Sequence, residues 1–229
     1  MLKIGLLTIG QSPRDDIVAV MRGYLSPEVE ILQRGALDGL DLPAASRLRP
    51  EAGQPTLVTR MRDGTEVEVT HEKIGPLLQK GADALLQEGV GLVVLLCTGE
   101  FPPLRADRMV LYPGRLLHDL VAALATGARL GVVMPSPAQI PSAQERWAGF
   151  DAVVTAASPY LVPELSASEW QRAAEELRAA GVDLVYLACM GMDEEMKRAV
   201  QRVTGKPVVL ASAVVARIVD ELIGCRRSK

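Results

Sequence analysis

Apolar residues along the chain fall into two alternating rhythms. Short β-branched-rich runs of strand length occur near 2–8, 92–97, 108–112, 129–134, 151–156, 183–189 and 207–211. Between them, apolar positions three and four apart predict helices near 14–24, 72–88, 114–126, 137–148, 168–180, 193–204 and 212–223. Leu116, Leu117, Leu120, Val121 and Leu124 form one apolar stripe, and Trp170, Ala173, Ala174 and Leu177 another; both are expected to face a core. Strands that alternate with helices give parallel sheets, so the pattern predicts an α/β fold.

The pattern also repeats. Gly89–Gly99 (GVGLVVLLCTG) returns as Gly181–Gly191 (GVDLVYLACMG), with seven of eleven positions identical. Leu2-Lys3-Ile4-Gly5-Leu6-Leu7-Thr8 has a counterpart in Ala128-Arg129-Leu130-Gly131-Val132-Val133-Met134, and each is followed by a Ser-Pro pair where a helix can start, Ser12-Pro13 and Ser136-Pro137. Met109-Val110-Leu111-Tyr112 and the helix after it match Pro207-Val208-Val209-Leu210 and its helix. The chain is therefore expected to hold two pseudo-symmetric halves, 1–126 and 127–229, with the same sheet order in each.

Gly5 and Gly131 lie 126 positions apart but Cys97 and Cys189 only 92, so the first half carries 34 additional residues. They fall between Leu32 and Thr70. Within them, Thr56–Met61 and Glu66–Thr70 flank Arg62-Asp63-Gly64-Thr65, and an Asp-Gly between two β-type runs predicts an antiparallel hairpin near 56–70. The hairpin is expected to cover a pocket or an interface.

Composition narrows the function. The 229 residues are 48% hydrophobic with a formal charge of −3, which leaves no basic footprint for nucleic acid. Only Arg226-Arg227-Ser228-Lys229 is locally basic, and it reads as a solvated terminus. No apolar run is long enough to span a membrane, and the first residues are expected to form a strand rather than a signal peptide. Three cysteines do not make a disulfide framework, so free thiols in a reducing cytoplasm are expected. His71 and His118 are isolated, His118 lies outside its helix's apolar stripe and reads as a surface residue, and no ligand spacing supports a metal site.

The chemistry concentrates at the repeated cysteines. Each ends a buried strand in Cys-x-Gly, at the edge of an α/β sheet where ligands bind. Two thiols placed alike in two related halves can serve as base and acid on opposite faces of one carbon, which is racemase or isomerase chemistry that needs no cofactor. Thr98, Ser12 and the amides of both Cys-x-Gly loops are suited to a carboxylate and an enolate-like intermediate, and Arg14 to an anionic group. Cys189 precedes a helix starting near Asp193, whose N-terminus is expected to assist that thiol. Cys225 has no counterpart in the repeat and is given no role.

Thr8-Ile9-Gly10-Gln11-Ser12-Pro13-Arg14, Leu96-Cys97-Thr98-Gly99-Glu100-Phe101-Pro102, the hairpin and Cys189-Met190-Gly191 together resemble the AroM family across essentially the whole chain. The family is associated by name with aromatic amino-acid biosynthesis and has no assigned activity. More distantly the layout is similar to the aspartate/glutamate racemase superfamily, whose two α/β halves each supply a catalytic Cys. That resemblance implies Cys97 and Cys189 as the catalytic pair in a cleft between the halves. It implies Gln11, Ser12, Arg14, Thr98, Gly99, Met190 and Gly191 as substrate-binding residues, a small carboxylate as ligand, and no cofactor. A homodimer is compatible with it. Gln11-Ser12 stands where glutamate racemases have Asp-Ser, Thr98-Gly99 where they have Asn-Thr, and Met190-Gly191 where they have Thr-His. The missing acid suits a substrate without an amino group. Two other readings compete: a non-catalytic small-anion-binding or regulatory protein on this scaffold, linked to aromatic amino-acid metabolism, and a dithiol redox protein.

Overall fold

The computed structural model describes residues 3–51, 53–160 and 163–224. Cys225 and the basic tail lie outside them, as does Leu2 of the first expected strand.

Four parallel strands form the first sheet: β1 (Lys3–Thr8), β2 (Glu30–Gly35), β5 (Leu92–Leu95) and β6 (Met109–Leu111), in the order β2-β1-β5-β6. Four more form the second: β7 (Leu130–Met134), β8 (Ala152–Ala156), β9 (Leu184–Leu187) and β10 (Val208–Leu210), in the order β10-β9-β7-β8. Numbered within its own half, each sheet runs second, first, third, fourth. The registers repeat as well. Ile4 faces Leu92 as Leu130 faces Leu184, and Val93 faces Val110 as Val185 faces Val208. Even the glycines correspond: a Cβ on Gly5 would meet the Leu85 side chain at 2.9 Å, and one on Gly131 would meet Leu177 at 2.9 Å. In both sheets a glycine in the first strand lets a leucine of the covering helix sit directly against the backbone.

The covering helices are α1 (Asp15–Arg22), α3 (His71–Gln87) and α4 (Pro113–Leu124) in the first half of the sequence, with a short α2 (Leu42–Ser46). The second half has α5 (Ile140–Arg146), entered through a 3-10 turn at Pro137–Gln139, then α6 (Pro163–Ala179), α7 (Glu194–Thr204) and α8 (Ala211–Ile223). None of the helices among the described residues is long and apolar enough to cross a membrane. The chain forms two compact units, Met1–Arg115 with Val215–Lys229, and Leu116–Val214. The divisions between these units fall inside α4 and α8. The end of α8 is tied to the first unit by name: Asp220 Oδ1 accepts from the Ser26 amide at 3.0 Å, and the Arg217 guanidinium lies 4.4 Å over the Tyr24 ring.

The expected hairpin is present as β3 (Leu57–Arg60) and β4 (Glu66–Val69), antiparallel, with Met61 donating to Thr65 O and Gly64 to Met61 O. Gly64 adopts φ +94°, the left-handed position that such a three-residue loop needs. Leu57, Met61, Val67 and Val69 are buried in one cluster with Leu7, Ile74, Leu78, Val93 and Leu95. The hairpin thus packs into the core of the first unit.

Two elements were not anticipated. Strand β2 is an edge strand whose residues are only half-buried up to Gly35, so Glu30-Ile31-Leu32-Gln33-Arg34 lacks the apolar run that marks the interior strands. Helix α2 is five residues long, too short for a period to register. Two expectations about helix faces are corrected. Leu124, expected in the core stripe of α4, is 53% exposed, because the helix ends there. His118 is not a surface residue: its ring is half-buried 4.5 Å from Trp147, and Nδ1 accepts from Arg146 Nε at 3.3 Å. The stripe on α6 is buried throughout, from Trp170 to Leu177.

Candidate active site

In a parallel sheet the crevice for a ligand opens where neighbouring strands send their connections in opposite directions, at their C-terminal ends. The strand order places that point between β1 and β5 in the first unit and between β7 and β9 in the second. Cys97 lies two residues beyond the end of β5, and Cys189 two beyond β9. Each loop is pinned to the central strand by one backbone bond, Leu96 N–H to Leu7 O at 2.7 Å and Ala188 N–H to Val133 O at 2.9 Å.

Both thiols have the same local donor. The Gly99 amide points at Cys97 Sγ at 3.3 Å and the Gly191 amide at Cys189 Sγ at 3.4 Å. Cys97 is half-buried and Cys189 is buried; both are free thiols. The Tyr160 hydroxyl stands 3.8 Å from Cys189 Sγ, and its ring covers Gly191 so closely that a Cβ there would lie 2.6 Å from the hydroxyl oxygen. Tyr160 is placed in turn by Ser158, whose Oγ accepts from the Tyr160 amide at 3.1 Å.

Asp193 caps helix α7, accepting from Glu195 and Met196 N–H at 2.9 Å each, so two of the amides at the helix end that follows Cys189 are engaged by the cap. The final helix of each half starts against the chain at or just after its Cys-x-Gly loop. A Cβ on Gly114, in the first turn of α4, would meet Gly99 O at 2.3 Å and Thr98 O at 2.9 Å. Ser212, in the first turn of α8, donates from Oγ to Met192 O at 3.0 Å. Met190 is buried, 2% exposed, with Met192 beside it in sequence fully buried.

The loop after β1 is a network. Gln11 donates from Nε2 to Leu37 O at 3.1 Å and Leu40 O at 2.7 Å, and accepts at Oε1 from the Arg62 amide at 2.8 Å. Ser12 donates from both N–H and Oγ to the Asp38 carboxylate at 2.7 Å, and the same carboxylate accepts from the Gly35 amide at 2.8 Å. Arg14, 2% exposed, forms a two-pronged pair with Asp16 at 3.0 and 2.7 Å, and Arg60 approaches the same carboxylate at 3.4 Å. Burial alone would raise the Asp16 carboxyl, but the hydrogen bonds and charge of Arg14, with Arg60 adding to them, hold it below the usual carboxylate range. A ligand reaching for Ser12 or Arg14 would compete with Asp38 and Asp16.

His71 belongs to this region although it looks isolated in sequence. It opens α3 directly after β4, with Thr70 capping the helix through a bond from the Lys73 amide at 3.2 Å. Its ring lies 5.0 Å from that of Phe101, and Nε2 would be 3.3 Å from a Cβ on Gly99. His71 therefore flanks the Cys97-Thr98-Gly99 loop. Burial lowers its pKa from the ordinary histidine value, opposed by the charge of Glu100, so the neutral imidazole is favoured. The signal that could have found it is its place at the end of the inserted hairpin. Among the described residues there is no cluster of His, Cys, Asp and Glu that could hold a metal ion.

The chain is similar to known proteins in family and in fold. A family model described as AroM protein matches residues 4–223. No curated protein matches the sequence. Among solved structures, allantoin racemase from Pseudomonas fluorescens is 15% identical, with TM-score 0.61 over 97% of this chain and 91% of that one. A glutamate racemase from Bacillus anthracis is 12% identical, with TM-score 0.63 over 97% and 82%. The glutamate racemase of Francisella tularensis, solved in complex with D-glutamate, is 14% identical, with TM-score 0.59 over 100% and 84%. At these identities the likeness is one of fold.

Proposed function

The chain belongs to the AroM family, and from that premise we propose that it is a cofactor-independent racemase or isomerase of a small carboxylate, with Cys97 and Cys189 as its acid and base. The observation that carries the reading is the matched pair: two thiols at equivalent strand ends, each facing the amide of the glycine two residues on. A thiolate accepts such a hydrogen bond well, and it is the thiolate form of a cysteine that abstracts a proton. The solved structures of the same fold include proteins described as racemases of allantoin and of glutamate, which supports the reaction class.

In this reading one thiolate removes the proton beside the carboxylate while the other thiol delivers a proton to the opposite face. The electron pair left by the broken C–H bond rests on the carboxylate as an enolate. Thr98 and the backbone amide of Met190, in the loops whose Gly99 and Gly191 amides serve the sulfurs, stabilise it by hydrogen bonding. Gln11, Ser12 and Arg14 shape the loop against which the substrate lies. The mechanism requires one substrate carbon to reach both sulfurs. Free thiols of this kind need a reducing compartment, for which the cytoplasm is the natural choice.

The reading is tested with Cys97→Ser and Cys189→Ser. A hydroxyl is a far poorer base near neutral pH, so each variant is expected to lose at least about a hundredfold in turnover on a panel of chiral carboxylates. Affinity for the same acids, measured by calorimetry, should persist. Both variants turning over as wild type would overturn the thiol mechanism. Tight binding with no turnover by wild type on any acid would favour the regulatory binding protein.

A further inference from the structure

Arg62 sits in the turn of the inserted hairpin and is anchored twice to the loop after β1. Its backbone N–H donates to Gln11 Oε1 at 2.8 Å, and its side-chain Nε donates to the Ser12 carbonyl at 2.8 Å. That loop leaves the sheet beside the Cys97 loop, at the point where the connections of β1 and β5 diverge. An arginine held through Nε retains its two terminal nitrogens as a planar fork, a shape that matches a carboxylate. The neighbouring acids are otherwise engaged. Asp38 is bound by Ser12 and Gly35, Asp16 by Arg14 and Arg60, and Asp63 accepts from the Thr65 amide at 2.9 Å. Among the described residues no carboxylate forms an ion pair with Arg62, and the residue is exposed.

We propose that Arg62 binds a second carboxylate of the substrate, so that the ligand class is a dicarboxylate without an ammonium group. The proposal rests on the reading of this site given above and extends it to the substrate. The first carboxylate lies at the Cys97-Thr98-Gly99 loop next to the reacting carbon, and the second reaches the rim formed by the hairpin. The hairpin then has a task beyond packing, since it carries an arginine whose guanidinium is held at Nε by the β1 loop. Gln11 becomes a positioning residue: it holds the Arg62 backbone with its oxygen and the Leu37–Leu40 segment with its nitrogen.

The test is an equilibrium one and does not depend on turnover. The full chain is titrated calorimetrically with malonate, succinate and glutarate, and with propionate and butyrate as monocarboxylates of comparable length. Wild type is expected to bind at least one dicarboxylate about tenfold or more tightly than the monocarboxylates, as a two-pronged, charge-assisted arginine–carboxylate pair permits. Arg62→Gln, whose amide can still reach the Ser12 carbonyl, should erase that preference. Arg62→Lys, which keeps the charge and loses the fork, should retain only part of it, and it decides the matter if the glutamine variant melts early. Equal binding of both acid classes by wild type, or an undiminished preference in the variants, overturns the proposal. Failure of the thiol mechanism would show instead as turnover in the cysteine variants, with this binding preference unaffected.

Discussion

At the scale of single residues, the site depends on small side chains where the backbone is crowded. Gly191 is covered by Tyr160, and a methyl group there would press on the hydroxyl oxygen at 2.6 Å. Gly191→Ala is therefore expected to displace Tyr160 from the Cys189 loop, destabilise the fold by about 1–3 kcal/mol and cut turnover more than affinity. Urea unfolding checks the first effect and a kcat-against-KM comparison the second. Asp38 shows the converse dependence on a polar group. Asp38→Ala would remove the acceptor of Ser12 N–H, Ser12 Oγ and Gly35 N–H, at a cost of about 1–3 kcal/mol for each buried donor left unmatched, and the loss is again read in the urea midpoint. The sequence singled out Ser12 but not Asp38, since the two are 26 positions apart and only the fold joins them. The same holds for the partner of Arg14: Asp16 lies two positions on, but the second cation at its carboxylate, Arg60, comes from the hairpin.

Among the elements, the hairpin is the part that separates this chain from a bare duplication. It reaches the β1 loop at Gly10, where a Cβ would meet Thr59 Oγ1 at 2.4 Å and Arg60 O at 2.5 Å, and the Gln11 amide donates to Arg60 O at 3.1 Å. Gly10→Ala should lift the hairpin from this loop. The expected signature is faster hydrogen exchange at Gln11 and in 57–69, with the second unit unchanged. Most interior elements were legible because their apolar runs are strong; the second strand of the first sheet was not, because an edge strand with half-buried faces has no such run. The hairpin was legible from Asp63-Gly64, while its docking was not, because that rests on backbone approach at a glycine rather than on any side-chain pattern. His71 fell between the two: its element was expected, but its nearness to the Cys97 loop follows only from how α3 starts beneath the hairpin.

For the whole molecule, two titrating groups tie stability to pH. The lowered pKa of Asp16 means that its stabilising pair is present above the unfolded carboxylate value, about 3.9, and is lost as pH falls through the folded value. The lowered pKa of His71 acts in a different window. The unfolded chain takes up its proton first as pH falls through the ordinary histidine value of about 6.5, so stability declines from there down to the lower folded value. Urea midpoints measured across this range should show that decline in wild type, and His71→Asn should flatten it. The repeat itself was fully readable at the level of sequence, since the offsets of 126 and 92 seen between Gly5 and Gly131 and between Cys97 and Cys189 recur as matched strand registers. The two compact units divide within α4 and α8, whose sequences continue without a break and so carry no boundary signal of their own.

The central claim is that two thiols act on opposite faces of one carbon. It is tested most directly by running the reaction in deuterated water with each enantiomer of a turned-over acid, and following both substrate and product by mass spectrometry. With two distinct proton donors, the product of inversion carries solvent deuterium from its first appearance while the remaining substrate keeps its original hydrogen. Deuterium entering substrate and product together at early times, from either enantiomer, would mean a single exchanging group serves both faces and would contradict the account.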